Sequence, residues 1–369
     1  MTKMLKIDKT VSDGTRDFLR FLLESKKVQS VAVLTREGTS GEVGCSLISN
    51  PEKMAEAVPF CPVMPYNAGE YLSSLTSKGP FDGPVAVVLR PCEQRAFVEL
   101  VKRQQGSLDN IIIISSICPG VYPLKTFVHE NEDKLLKDYW SVVADGKLPE
   151  GIRDTCSCCE NFVPAEADIV IPIAGEKDTG KGCKLFAKTE KGAELLKEMD
   201  GKIQESELET KGTEAIRQLR QKNEEKMLAN LEKKLSGLDG LVEMFSTCIG
   251  CHGCRSVCPI CYCRLCEFDS SRSEYEVQKY ESELYKKGGV RIPPGTIAFQ
   301  IGRMIHIGLS CVSCGMCSDV CPADIPVANI FRKVGKAVQD VFEYIPGKDP
   351  EDSIPVTTFE EDELRSVED

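Results

Sequence analysis

After Ser12 and Asp13, two residues suited to capping, Phe18, Leu19, Leu22 and Leu23 recur at helical spacing, and the pattern predicts a helix. From Val28 it changes to the continuous apolar run VQSVAVLT, which predicts a buried strand. The alternation then repeats: PVAVVLR, ending at Arg90, predicts a strand, residues 92–103 a helix, and NIIIISS from Asn110 the next strand. Strands alternating with helices predict an α/β domain with a mainly parallel sheet. Ligands of such sheets gather at the carboxyl ends of the strands. RPCEQRA and SSICPG fall there, and each carries a cysteine.

Residues 175–182 are polar and glycine-rich, and CKLFAKTEKGAELLKEM beyond them predicts a last strand and helix of this domain. Ile216, Leu219, Leu228, Leu231, Leu235, Leu238, Val242 and Phe245 keep three-and-four spacing, which predicts a long amphipathic linker helix broken near Gly237. Residues 273–287 and 294–308 read as helices, and the segment after Pro350, EDSIPVTTFEEDELRSVED, is acidic and poor in apolar residues, as a solvated or partner-stabilised extension would be. The expected organisation is an α/β domain over 1–200, linker helices over 201–246, a helical domain over 247–345 and an acidic tail over 346–369.

A length of 369 residues suits two or three such domains. Nineteen cysteines in so long a chain, beginning MTKMLKIDKTVSDG without an apolar leader, imply reduced thiols and a cytoplasmic setting. The longest apolar runs, near 111–114 and 169–173, fall far short of the roughly 20 residues of a membrane span. With 46 basic against 57 acidic residues the net charge is −11, which disfavours nucleic acid. His129, His252 and His306 are the only histidines, and no hydrolytic constellation can be assembled around them, so no side chain is assigned a catalytic role.

The chemistry lies in the cysteines. CIGCHGCRSVCP and CVSCGMCSDVCP both read C-x2-C-x2-C-x3-C-P, the run in which three thiolates grip one cubane and the fourth begins a helix aimed at the other. Two [4Fe-4S] clusters are expected, one on Cys248, Cys251, Cys254 and Cys321, the other on Cys311, Cys314, Cys317 and Cys258. Zinc sites pair two C-x2-C hooks and have no use for a third cysteine in the same rhythm. His252, between ligands, reads as a loop residue or a tuner of potential. With its long insertion, this region resembles the helical variant of the ferredoxin fold found in electron-transfer subunits of heterodisulfide reductase and fumarate reductase.

Through SDGTRDFLRFLLESKKVQSVAV, VAVVLRPCEQRAFVEL, SSICPG and CSCCENFVPAEADIVIPIAG, about half the chain resembles the β subunits of coenzyme F420-reducing hydrogenase and of formate dehydrogenase. The resemblance implies flavin adenine dinucleotide (FAD) and one further [4Fe-4S] cluster in the α/β domain. Its cluster ligands would be Cys92, Cys118, Cys156 and Cys159, with Cys158 spare. The family's DGG turn is DGT here, which places Asp13, Gly14 and Thr15 at the flavin phosphates. Capping alone also accounts for Ser12 and Asp13. A rival scheme pairs the hook Cys156 and Cys159 with the hook Cys263 and Cys266. In a third, the leftover Cys261, Cys263 and Cys266 bind zinc or a cluster shared with a partner. The family-like set is preferred, because Cys92 and Cys118 both lie at strand carboxyl ends.

The implied function is an iron–sulfur flavoprotein subunit of a hetero-oligomeric dehydrogenase or hydrogenase. FAD exchanges hydride with a soluble deazaflavin or nicotinamide carrier, and clusters pass single electrons to a catalytic partner. The alternatives are a flavin-free relay linking a formate dehydrogenase or hydrogenase to a heterodisulfide-reductase-like complex, and a free-standing reductase of a small organic or sulfur substrate.

Overall fold

In a computed structural model, which describes residues 2–37, 42–129, 132–199, 201–270, 276–288, 293 and 295–358, the chain forms two units. Residues 1–224 with 347–352 make the first, and 225–346 with 353–369 the second. The first carries, in order, β1 (Thr2–Ile7), α1 (Val11–Glu24), β2 (Ser30–Glu37), β3 (Glu42–Ile48), α2 (Ala68–Thr76), β4 (Val85–Leu89), α3 (Pro91–Lys102) and β5 (Ile111–Ile117). Then follow α4 (Leu124–His129), α5 (Glu132–Ala144), α6 (Asp154–Ser157), β6 (Ile169–Pro172), β7 (Cys183–Ala187), α7 (Glu190–Glu198), β8 (Ile203–Ser206) and the start of α8 (Lys211–Lys234).

These strands form one sheet in the order β3-β2-β4-β5-β6-β7-β1-β8. At its centre β4, β5 and β6 are buried along their whole length, as runs without polar alternation require. Their ladders are parallel, as is β2 with β4. The other four ladders are antiparallel, so the sheet is mixed, not mainly parallel. Three of those four are made by β1, β3 and β8, the strands that the apolar pattern did not disclose. The edge strands β3 and β8 leave polar residues to water, which erases the periodic signal. The fourth, β6 with β7, is joined only by residues 173–182, too short a link for a parallel crossover. Because β8 pairs with β1, the sheet runs past residue 200.

The second unit holds α9 (Gly237–Met244), α10 (Gly253–Ser256), α11 (Val277–Lys287), α12 (Thr296–Ile307), α13 (Met316–Asp319) and α14 (Val327–Val341), with no strand among its described residues. The expected helix break near Gly237 is present, at φ +67°. Ile216, Leu231 and Phe245 of the expected apolar stripe are buried, but Leu219 and Leu238 face solvent. Residues 273–275, Pro294 and the tail from 359 lie outside the described residues. Of the rest of that tail, 347–352 belong to the first unit, where the Gly347 amide donates to Glu99 Oε2 at 3.1 Å. Among the described residues no helix is long and apolar enough to cross a membrane.

Candidate metal centres

Among the described residues the second unit has two cavities of about 20 Å³ each. One is lined by Cys248, Cys251, Cys254 and Cys321. The other is lined by Cys311, Cys314, Cys317 and Cys258. Each takes three thiols from one run and its fourth from the other.

Backbone geometry repeats with the sequence. In the first run Gly250 and His252 take the left-handed conformation (φ +68° and +56°), and in the second Ser313 and Gly315 do so at the same offsets (φ +57° and +87°). Each pair of left-handed residues curls the loop around its cavity before a short helix, α10 or α13, begins. The fourth cysteines, Cys258 and Cys321, follow these helices and do not begin new ones. Phe299 and Val327 line the first cavity, and Ile307, Met316 and Phe331 the second, so each has an apolar wall, although Cys251 is exposed. His252 stacks on Phe299 at 4.0 Å between ring centroids and lies 3.7 Å from Asp269 Oδ1.

Among the described residues no three His, Cys, Asp or Glu side chains close around a single ion. The thiols stand around voids. Sulfurs of a tetrahedral zinc site would be about 4 Å apart, given a Zn–S bond of about 2.3 Å. Burial raises the Cys248, Cys254 and Cys317 thiols above their ordinary pKa. They are therefore neutral until a metal takes them, and binding releases protons.

The first unit has a second thiol neighbourhood, at the carboxyl ends of its central strands. Cys92 lies in the first turn of α3 after β4, Cys118 directly follows β5, Cys156 is in α6, and Cys159 lies just beyond. Gly120, at φ +108°, brings these loops together: a Cβ there would stand 3.0 Å from Cys156 Cβ. Burial, then Cys156, pushes Cys118 up to about 12, against the opposing charges of Arg90 and Arg220. Burial also raises Cys156, with Arg153 opposing and Cys159 adding to the rise. Cys92 acts on the same buried Arg90. Cys263 and Cys266, of the rival pairing, belong to the second unit.

Sequence reasoning missed Arg220. It comes from α8, is 1 % exposed, and stacks 4.4 Å from the Phe162 ring centroid. Its Nη2 donates to the Cys118 carbonyl at 3.0 Å, while Nε and Nη1 are buried without a partner. An unpaired buried cation beside two thiols suits an anionic cluster, so the residues present fit one.

Asp13, Gly14 and Thr15 do not fit a phosphate cradle. Thr10 is the N-cap of α1, and its hydroxyl accepts from the Asp13 amide at 3.1 Å. The Val11 amide donates to Thr179 O and the Gly14 amide to Thr10 O, at 2.9 and 2.8 Å. Asp13 pairs with Arg16, and the Thr15 hydroxyl donates to Val11 O at 2.6 Å. Gly14 is glycine because α1 crosses β7 closely: a Cβ there would lie 2.4 Å from Cys183 Cβ.

Two thiol cages with crossed membership, in a chain whose α/β unit also carries cysteines at the carboxyl ends of its central strands, define an iron–sulfur electron-transfer protein. Residues 243–325 match the 4Fe-4S dicluster domain, and residues 124–216 match the C terminus of the coenzyme F420 hydrogenase/dehydrogenase β subunit. The chain is 30% identical over 365 residues to the F420-dependent formate dehydrogenase subunit beta of Methanocaldococcus jannaschii, covering 89% of this chain and 90% of that protein. It is 35% identical over 307 residues to F420-dependent formate dehydrogenase 1 subunit beta of Methanococcus maripaludis, covering 73% and 74%. A chain of the F420-reducing [NiFe] hydrogenase complex from Methanosarcina barkeri is similar at a TM-score of 0.45 and 15% identity, over 65% of this chain and 94% of that one. The chain belongs to the β-subunit family of the coenzyme F420 hydrogenases and dehydrogenases, which are oxidoreductases.

Proposed function

We propose that this chain is the electron-transfer β subunit of an F420-dependent formate dehydrogenase or hydrogenase, working in the cytoplasm with a catalytic partner subunit. The observation that carries the reading is the crossed membership of the two thiol cavities. Cys248, Cys251, Cys254 and Cys321 hold one [4Fe-4S] cluster, and Cys311, Cys314, Cys317 and Cys258 the other. Cys92, Cys118, Cys156 and Cys159 hold a third. The names of the relatives supply the carrier and the substrate.

FAD, when bound, supplies the exchange between a hydride and two single electrons. No described residue is assigned to it, because the turn named for it is filled by its own capping bonds and by Cys183. The chain's own residues bury Cys254 and Cys321, line both thiol cavities with apolar side chains and set a positive charge at Cys118. That same filled turn favours a second reading, a flavin-free relay that connects the catalytic subunit to a heterodisulfide-reductase-like complex. Anaerobic purification followed by iron analysis, acid extraction and a visible spectrum separates the two. Extractable flavin with reduction of F420 by the complex supports hydride exchange, clusters without flavin support the relay, and a chain without iron refutes both.

A further inference from the structure

Arg303, on α12, is 2 % exposed. Its Nη1 donates to Cys254 Sγ at 3.2 Å and its Nη2 to the Cys254 carbonyl at 3.1 Å. The guanidinium stacks 4.6 Å from the Phe331 ring centroid and 5.7 Å from that of Phe299, while Nε is buried without a partner. The titratable groups that act on it are cysteines, Cys254 first, then Cys258, Cys261 and Cys317, and Phe331, against which it stacks, lines the second cavity. Cys254 lines the first cavity, whereas Cys258 and Cys317 line the second. A single guanidinium thus serves both cages.

We propose that Arg303 is a positioning residue that raises the midpoint potentials of both ferredoxin-type clusters together. Reduction adds negative charge to a cluster in a low-dielectric interior, and a fixed cation nearby stabilises that reduced form. An N–H bond to a ligand sulfur acts in the same sense. Gln300, one turn earlier on α12, gives an internal comparison. Its Nε2 lies 3.9 Å from Cys254 Sγ, and it lines the first cavity but not the second. It should tune one cluster where Arg303 tunes two.

The proposal rests on the two cavities being cluster sites, which iron and acid-labile sulfide content tests separately. A chain without iron overturns that reading and this proposal with it. In iron-replete full-length protein, redox titration followed by electron paramagnetic resonance compares R303M, R303K and Q300L with the parent. In R303M both ferredoxin-type signals should move to lower potential. R303K should restore most of that shift, because it keeps the charge, and Q300L should move one signal. A shift in one signal alone in R303M, or in neither, overturns the proposal. If R303M loses a cluster, the parent labelled with 15N-arginine decides. Nitrogen coupling to both reduced clusters, absent in R303K, is expected, and coupling to fewer than two overturns the inference.

Discussion

Replacing Gly14 with alanine separates a packing role for that residue from a ligand-binding one. In most helix interiors the change stabilises by about 1 kcal/mol, because alanine is the better helix former. Here the new methyl would stand 2.4 Å from Cys183 Cβ and 3.0 Å from its Sγ. A Cβ cannot rotate away, and Cys183 is held in β7 opposite Ile7 of β1. Helix or strand must therefore move. Overpacking costs about 1–3 kcal/mol, and the anchored contact atom puts this case in the upper half of that range. Subtracting the propensity gain leaves a net loss of about 1–2 kcal/mol. Cys183→Gly removes the opposing Cβ, so G14A should be neutral or stabilising in that background. The two changes should couple strongly.

Trp140 is the chain's only tryptophan, and it lies in α5 with its ring centroid 5.3 Å from that of Tyr139, against the core of the first unit. Its fluorescence during urea unfolding reports that unit alone. A G14A protein as stable as its parent, or one equally destabilised with and without Cys183, would refute the packing argument. Loss of flavin at unchanged stability would return Gly14 to the phosphate-cradle role.

Three further outcomes are expected. Cys258→Ser should abolish the paramagnetic signal of the cluster held mainly by Cys311, Cys314 and Cys317, and leave that of Cys248, Cys251 and Cys254. The reverse loss would show that the cavities do not report ligation. Replacing Cys156 and Cys159 together should lower iron content by about four atoms per chain while both ferredoxin-type signals persist. Unchanged iron would remove the third site. Finally, burial, partly opposed by the Thr15 hydroxyl, pushes the Cys183 thiol from 9.0 up to about 12. Its contribution to stability is full below pH 9, where unfolded thiols are still protonated, and is lost as pH rises toward 12, by up to about 1.4 kcal/mol per pH unit. Urea midpoints between pH 8 and 10.5 should fall more steeply in the parent than in Cys183→Ala, and parallel curves would contradict the assignment.

What the sequence discloses and what it hides divides along physical lines. The eight thiols of the two cages are legible because a cubane demands cysteine at fixed local spacing, and that spacing survives any surrounding fold. β4 and β5 are legible because strands buried on both faces must be continuously apolar. β1, β3 and β8 are hidden, since each leaves residues to water, and with them the mixed character of the sheet. Gly14 misleads for a different reason. A glycine near a helix start serves a phosphate or a close crossing equally well, and only the position of β7, far along the chain, decides between them. Arg220 and Arg303 leave no trace in the pattern, because an arginine within a helix reads as part of a solvated face.

Those two arginines bear on how the protein is assembled. An unpaired buried cation costs several kcal/mol, and the groups beside these two are thiols. Burial keeps the thiols neutral near pH 7, with Cys118 raised to about 12 and Cys254 raised as well. Without iron, therefore, each arginine is a buried cation set against uncharged sulfur, whereas clusters bound as proposed would turn the same sulfurs into thiolates around a negative core. On that proposal, cluster loading and local folding are a single equilibrium. Stripping iron with a chelator should raise amide exchange in α12, which carries Arg303, and in the turn of α8 around Arg220, relative to the central strands β4 and β5. If exchange in those two helices stays as slow in the iron-free protein as in the loaded one, the guanidinium charges are balanced by something other than the clusters, and the coupling argued here does not exist.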